Sequence, residues 1–167
     1  MIVTRLGGQP EGDTALEFRL LGNLEVVIDG APADVGGAQP RTVLAMLLVA
    51  DGRVVPAESI ISALWGDSPP DSAAGTLQSY VSRLRRALVP GGARGEAAKV
   101  LAWDPPGYKL RIAADALDTR WFESLAEQGR AALLAGDAAG ARELLEEALG
   151  LWRGAALLEF SHLDFAW

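Results

Sequence analysis

The strongest constraint on the fold of this chain is a helix pattern that ends at Pro90. Leu77, Val81, Leu84 and Leu88 recur at intervals of four, three and four residues. At about 100° per residue, their side chains fall within roughly 60° of one another and form a narrow apolar seam. Because such a seam is stable only against other apolar side chains, the pattern predicts a helix with one face on a core and the other in solvent.

The outward face of this helix is polar and contains no carboxylate. Its positions are Thr76, Ser79, Ser82, Arg83 and Arg86, with Gln78 and Arg85 on one flank and Tyr80 on the other. Between Thr76 and Pro90 the sequence has no Asp or Glu. Short polar side chains let a helix come close to DNA, and Arg binds guanine edges through two hydrogen bonds. The pattern favours a helix that lies in a major groove, and the alternative is a solvated basic face without a ligand.

Charge is distributed unevenly along the chain, although its total of -7 is unfavourable for nucleic-acid binding. Residues 76 to 111 contain seven Arg or Lys and two acidic residues, a net charge of +5. The segments before and after each contain four Arg and ten acidic residues, a net charge of -6. Since a basic segment attracts phosphate and acidic segments repel it, we expect a DNA-contacting surface within residues 76 to 111 only.

Length and composition exclude several classes of protein. The 167 residues, half of them hydrophobic, suffice for one ordinary domain and a small second one. No stretch approaches roughly 18 apolar residues, and the N-terminus lacks the apolar run of a secretory signal, so we expect a cytoplasmic protein without a membrane span. Cysteine is absent and His162 is the single histidine, which excludes disulfides, zinc fingers and most histidine-based catalysis.

No motif indicates an enzyme or a bound cofactor. The Gly-Gly pairs that begin at residues 7 and 36 lack the Gly-Lys-Ser/Thr ending of a phosphate-binding loop. No motif combines a nucleophile, a base and an oxyanion donor. We therefore expect no catalytic residue, no cofactor and no metal site.

The chain begins with strand signals and continues with helix signals. Residues 1 to 16 have no period and are predicted to be a flexible tail. Short strands are predicted at residues 18 to 21, 24 to 28 and 33 to 35, with a hairpin turn at Asp29-Gly30. Helices are predicted from Pro40 to about residue 50, from Pro56 to Trp65, and from a cap at Asp71 or Ser72 to Leu88.

A second hairpin and a helical pair complete the pattern. After a polar loop, strands are predicted at residues 99 to 103 and 108 to 112. Two further helices, at residues 121 to 134 and 141 to 152, form a hairpin of the kind that helical repeats stack. Trp65, Trp103, Trp121 and Trp152 are predicted to pack in the core, the last two mostly buried near the junction between the two parts.

Several stretches resemble one known family. TLQSYVSRLRRAL at residues 76 to 88 and PGYKL at residues 106 to 110 resemble the winged-helix DNA-binding domain of the OmpR/PhoB type, and VPAESIISALWG at residues 55 to 66 is similar to its second helix. DTRWF at residues 118 to 122 through LWRG at residues 151 to 154 resembles the start of the bacterial transcriptional activation domain. This order is typical of Streptomyces antibiotic regulatory proteins and their actinobacterial relatives.

The resemblance implies an α+β winged helix, with an N-terminal antiparallel sheet, three helices and a C-terminal β-hairpin wing, followed by an all-α, helical-repeat-like segment. It implies a winged-helix DNA-binding domain at residues 17 to 113. Residues 114 to 167 then correspond to the first part of a longer activation domain. The implied function is that of a sequence-specific transcription activator that binds promoter DNA and recruits RNA polymerase. The alternative is a winged helix without DNA binding that serves as a protein-interaction or sensor module.

The resemblance also implies which residues contact DNA. On the recognition helix they are Thr76, Gln78, Ser79, Ser82, Arg83 and Arg86, and on the wing Lys109, while Arg85 is predicted to contact phosphate. The implied partners are double-stranded promoter DNA and the sigma factor and alpha subunit of RNA polymerase. Asp104 and Gly75 stand where the family often has basic residues. We therefore expect tight binding to depend on a homodimer or paired monomers on repeated half-sites, or on RNA polymerase bound nearby.

Overall fold

A small antiparallel sheet opens the described part of the chain. The computed structural model describes residues 15 to 91, 94 to 163 and 165, so residues 1 to 14 of the predicted tail lie outside it. The sheet consists of β1 (Leu16–Arg19), β2 (Glu25–Ile28) and β3 (Ala31–Pro32), in that order. β1 thus begins at Leu16, which was predicted to be the last residue of the flexible tail.

The turn between β2 and β3 explains where the third strand lies. Asp29 and Gly30 both have positive φ, 50° and 80°, as the predicted two-residue hairpin turn requires. This turn pairs Ile28 with Ala31, so the third strand lies at Ala31–Pro32 and not at residues 33 to 35 as predicted. Val35 instead reaches the core, where it is buried.

Three helices follow, as predicted. They are α1 (Ala38–Val49), α2 (Ala57–Trp65), which the short strand β4 (Val55–Pro56) precedes, and α3 (Ala73–Leu88). α1 lies at the centre and is buried over most of its length. Ser72, one of the two predicted caps, is the N-cap residue of α3, but its side chain makes no capping hydrogen bond.

A fourth helix, α4 (Arg94–Val100), lies where the sequence predicted a polar loop and the start of a strand. Its Ala, Glu and Lys residues are good helix formers, and burial of Ala97 fixes one side of it. The second hairpin therefore begins two residues later than predicted. It consists of β5 (Leu101–Asp104) and β6 (Gly107–Leu110), and β6 lies between β4 and β5 in a three-stranded sheet.

The last two helices, α5 (Asp118–Leu134) and α6 (Ala138–Gly150), form the predicted helical hairpin. Gly136 has a φ of 83° in the connecting turn, and the Asp137 carboxylate caps α6 by accepting a hydrogen bond from the Gly140 N–H at 2.9 Å. Gly129 allows close helix approach, since a Cβ there would lie 2.7 Å from Cγ of Leu145. No described helix has both the length and the apolar run that crossing a bilayer requires.

The two parts of the chain share one hydrophobic core. Phe18, Leu44 and Leu84 are fully buried in it, and Leu157 and Phe160 from the C-terminal segment belong to the same cluster. The described residues that follow α6 thus return to the N-terminal part and complete its core.

Backbone hydrogen bonds and carboxylates reinforce this junction at the loop between β1 and β2. The N–H groups of Arg153 and Leu157 donate to the carbonyls of Leu21 and Leu20, at 2.7 and 3.0 Å. The Asp118 carboxylate accepts the N–H groups of Leu20 and Leu21, at 2.8 and 3.0 Å. The loop is therefore held by the helical part from two directions.

The tryptophan side chains do not lie where the sequence predicted. Trp121 and Trp152 are 38% and 42% exposed, so the prediction that both are mostly buried is wrong. Trp152 instead packs edge-on against Phe122, with ring centroids 5.5 Å apart. Trp103 is 52% exposed, and Trp65 is half-buried beside Tyr80. Trp121 on α5 and Trp152 just after α6 thus lie outside the hydrophobic core that the two parts share.

Candidate nucleic-acid interface

The predicted apolar seam determines which face of α3 points outward. Leu77, Val81, Leu84 and Leu88 are each at most 2% exposed, so the periodicity argument is confirmed. The opposite face is exposed over three helical turns. Its exposed residues are Gln78, Ser79, Ser82, Arg83 and Arg86, and Thr76 is partly exposed. The structure therefore brings these six predicted residues together on one surface.

Local contacts orient the side chains on this surface. Ser79 Oγ donates to the Gly75 carbonyl at 3.0 Å, and Arg86 Nε donates to the Ser82 carbonyl at 3.4 Å. The stem of Arg83 lies near Gly36, where a Cβ would be 3.3 Å from Cδ of Arg83. Within the described part of the chain, no arginine of α3 forms an ion pair with a carboxylate. Their charge is not neutralised by the protein itself.

Arg85 differs from the exposed side chain that the sequence predicted. It is half-buried, and its Nε donates to the Leu101 carbonyl at 2.8 Å. The position on the flank of α3, beside β5, explains this contact. Arg85 thus connects the helix to the hairpin, and the expectation of a side chain wholly on the surface is wrong.

The hairpin of β5 and β6 supplies the remaining predicted residue, Lys109. Tyr108 and Leu110 are buried on one face of β6, and the alternation of side chains along a strand places Lys109 on the other face, where it is partly exposed. The strand is held close to β4 at Gly107, where a Cβ would lie 1.9 Å from the Val55 carbonyl oxygen. The hairpin is therefore fixed against the body of the domain by a contact that only glycine permits.

An open groove of about 410 Å³ separates α3 from the hairpin. Its lining residues are Gln78, Val81, Ser82, Arg85, Trp103 and Tyr108. Burial raises the pKa of the Tyr108 hydroxyl, and the nearby charge of Arg85 opposes this shift in part. The groove thus joins two predicted DNA-facing residues, Gln78 and Ser82, to the hairpin.

Sequence reasoning missed Trp103 as a surface residue. The antiparallel pairing of β5 and β6 places Leu101 opposite Leu110 and Trp103 opposite Tyr108. These four side chains therefore share one face of the hairpin. Leu101 and Leu110 lie over the core, whereas Trp103 lies one pleat closer to the turn. The proximity of Asp104 and the Pro-Pro-Gly turn was the one available signal that the strand leaves the core there.

Family comparisons match both parts of the chain. The family described as "Transcriptional regulatory protein, C terminal" matches residues 37–110. The family described as "Bacterial transcriptional activator domain" matches residues 117–167. The first match includes α3 and the hairpin, and the second includes α5 and α6.

Curated relatives support the same assignment. "Transcriptional regulatory protein EmbR" of Mycobacterium tuberculosis is 38% identical over 160 residues, which are 96% of this chain and 41% of the relative. "Regulatory protein AfsR" of Streptomyces coelicolor is 39% identical over 150 residues, 89% of this chain and 14% of the relative. "Regulatory protein DnrI" of Streptomyces peucetius is 36% identical over 147 residues, 86% of this chain and 54% of the relative. The chain spans about two fifths of the length of the first of these relatives.

A solved structure has the same fold. The structure titled "Mycobacterium tuberculosis EmbR in complex with low affinity phosphopeptide" superposes with a TM-score of 0.85 at 38% identity, and covers 92% of this chain and 40% of that chain. The predicted fold class, a winged helix followed by a helical segment, is confirmed. The matched relatives are named as regulators and not as enzymes. The chain belongs to the Streptomyces antibiotic regulatory protein family, in which an OmpR/PhoB-type winged helix precedes a bacterial transcriptional activator domain.

Proposed function

We propose that this chain is the promoter-binding part of a transcription activator. α3 enters the major groove of double-stranded DNA, and the hairpin of β5 and β6 approaches the neighbouring minor groove as a wing. One observation carries the proposal: the exposed face of α3 has arginines and short polar side chains but no carboxylate. The protein acts in the cytoplasm, where bacterial promoters are.

The dimensions of α3 suit this role. Its 16 residues make a helix about 24 Å long, and a major groove about 12 Å wide admits a helix. Gln78 and Ser82 are four residues apart and share one side of the exposed face. Arg83 and Arg86 are long enough to reach base edges, where a bidentate pair with guanine gives specificity.

Lys109, which lies in the basic segment of the chain, supports a second DNA contact through the wing. Lys109 is partly exposed on β6, in the segment of net charge +5. Lysine on a wing contacts phosphate as a point charge and adds affinity without sequence preference. Because Asp104 lies on the same hairpin, one copy makes few cationic contacts, and two copies on repeated half-sites bind promoter DNA tightly.

The helical part is assigned the contact with RNA polymerase. We place the division between the two parts at residues 113 and 114, before α5. The net charge of -6 over residues 112 to 167 keeps this part away from phosphate. Its firm junction with the loop between β1 and β2 gives it a defined position relative to bound DNA, from which it recruits the sigma factor and the alpha subunit.

The decisive experiment is a DNA-binding titration of the whole chain on the promoter of its own neighbouring operon. The test variant is Arg83→Ala/Arg86→Ala. The control is Arg130→Ala/Arg142→Ala, which removes the same charge from exposed positions on α5 and α6. Loss of a base-contacting Arg weakens binding by about 1–3 kcal/mol and relaxes specificity at one base pair. The control is expected to bind as the parent does.

The salt dependence of binding distinguishes contacts to bases from contacts to phosphates. Lys109→Ala is expected to weaken binding to every sequence. It is also expected to reduce the salt slope, the steepness with which the logarithm of the binding constant falls with the logarithm of the salt concentration, by about one unit. Circular dichroism serves as the folding control for each variant. If folded Arg83→Ala/Arg86→Ala binds the promoter as tightly as the parent, α3 is not the DNA-contacting element and the protein-interaction alternative takes its place.

A further inference from the structure

Trp103 is an exposed aromatic side chain in the groove between α3 and the hairpin, and it is not among the proposed DNA contacts. It is 52% exposed, the largest exposed fraction among the tryptophans that the structure describes as exposed. Its ring packs edge-on against Tyr108, with centroids 5.0 Å apart, and Tyr108 is buried. Trp103 is therefore held in place although it faces solvent.

The position of Trp103 relates it directly to α3. It lines the same groove as Gln78 and Ser82, which belong to the exposed face of the helix. A DNA strand that borders a major groove filled by α3 would run along this groove. The ring would then meet the backbone of that strand without any movement of the hairpin.

The ring of Trp103 suits a sugar better than a phosphate. Asp104 follows Trp103 on β5, so the alternation of side chains places its carboxylate on the opposite face of the hairpin from the groove. Arg85 is half-buried and hydrogen-bonded to the Leu101 carbonyl, so its charge lies at the base of the groove. An indole face is uncharged and large, and packs well against the apolar face of a deoxyribose.

We infer that Trp103 is a DNA-contact residue whose ring packs on a deoxyribose of the strand that lies between α3 and the hairpin. This inference rests on the proposed function. The contact supplies affinity that does not depend on sequence or on charge. It compensates for the scarcity of cationic residues on the wing, where Asp104 stands beside the tryptophan.

The test compares Trp103→Ala and Trp103→Phe in the whole chain. The matched control is Trp152→Ala, since Trp152 is 42% exposed and also packs edge-on against another ring, but lies in the helical part. Affinity is measured by fluorescence anisotropy on labelled promoter DNA and on an unrelated duplex of equal length, over a series of salt concentrations. Urea unfolding of each variant gives the folding control.

Trp103→Ala is expected to weaken binding to both duplexes about tenfold, which is about 1.4 kcal/mol. Its salt slope stays equal to that of the parent, because no ion pair with phosphate is lost. Trp103→Phe retains most of the affinity, and Trp152→Ala retains all of it. In addition, DNA is expected to quench the tryptophan fluorescence of the parent more than that of Trp103→Phe. This comparison tests the contact even if Trp103→Ala fails to fold.

Three outcomes overturn the inference. Equal binding by folded Trp103→Ala and the parent, with no difference in quenching, removes Trp103 from the interface. A salt slope of Trp103→Ala that differs from that of the parent indicates that the substitution has altered an ion pair with phosphate. A loss of affinity for the promoter but not for the unrelated duplex indicates that Trp103 contacts a base. In each case a loss of binding by Arg83→Ala/Arg86→Ala leaves the proposed function intact. If that variant also binds as the parent does, the proposed function itself fails and a protein partner becomes the occupant of the groove.

Discussion

Glu159 binds Arg41 through both oxygens of its carboxylate, although 118 residues separate the two in sequence. Nε of Arg41 lies 2.9 Å from Oε2, and Nη2 lies 2.6 Å from Oε1. The same carboxylate accepts the N–H of Leu24 at 2.8 Å. The hydrogen bonds from Arg41 to Glu159 raise the pKa of Arg41 above its usual value, although burial opposes this. One side chain of the C-terminal segment thus holds α1 and the loop between β1 and β2 together.

Glu159→Gln is expected to lower the free energy of unfolding by about 1–2 kcal/mol, because the charge-assisted contacts with Arg41 are lost in a half-buried site. Urea denaturation followed by circular dichroism measures this change. Glu146→Gln is the matched control, since Glu146 pairs with Arg142 on the exposed surface of α6. The control is expected to change stability by less than about 0.5 kcal/mol. Equal effects of the two variants would contradict a structural role for Glu159.

Arg85→Ala is expected to destabilise the protein, whereas Arg86→Ala is not. Arg85 loses a 2.8 Å hydrogen bond to the Leu101 carbonyl and the packing of its stem, at about 1 kcal/mol. Arg86 loses only a long contact within its own helix, so its effect stays within about 0.5 kcal/mol. Urea unfolding of both variants distinguishes the two residues. A pair of identical unfolding curves would mean that the contact between α3 and the hairpin does not depend on Arg85.

Gly107→Ala and Gly75→Ala are expected to change stability in opposite directions. A Cβ at Gly107 would lie 1.9 Å from the Val55 carbonyl oxygen, which is backbone and cannot rotate away, so the loss is about 3 kcal/mol or more. At Gly75, in the first turns of α3, no atom beyond the adjoining residues and the backbone of its own helix lies within 4 Å of a Cβ, and alanine stabilises the helix by about 0.5–1 kcal/mol. Thermal unfolding of both variants tests this. A Gly107→Ala protein as stable as the parent would show that β4 and β6 separate readily.

Alkaline pH is expected to destabilise the protein partly through Tyr108. Burial raises the pKa of Tyr108, so above the ordinary tyrosine pKa of about 10 the unfolded state loses this proton before the folded state does. The folded state then binds more protons, and the free energy of unfolding falls as the pH rises through the folded pKa. Tyr108→Phe cannot ionise and is expected to show a smaller fall.

A direct titration checks the cause of this effect. The chain has two tyrosines, so Tyr80→Phe leaves Tyr108 as the single phenol. Its ultraviolet absorbance is expected to report ionisation at a pH above the ordinary tyrosine value. Ionisation at or below that value would rule out Tyr108 as the source of the alkaline effect.

Features that depend on near neighbours in sequence were predictable from the sequence. The seam from Leu77 to Leu88 follows from a period that any helix of this sequence would have, whatever it packs on. The turn at Asp29 and Gly30 follows from residues that tolerate positive φ. The outward face of α3 was therefore predictable, and so were six of the residues on it. The polar residues of α4, in contrast, fit a loop or a helix equally well until Ala97 is buried.

Features that depend on distant partners were decided by the tertiary structure. Periodicity shows which face of an element is buried but not where the core ends, so it could not show that Trp103 lies beyond the core or that Trp121 and Trp152 stay exposed. Arg85 was predicted to be exposed because its partner, the Leu101 carbonyl, is a backbone atom that no residue type reveals. The contact of Glu159 with Arg41 likewise arises only when the C-terminal segment returns to the N-terminal part. Local propensity acts over a few residues, whereas burial and charge pairing depend on which segments the folded chain brings together.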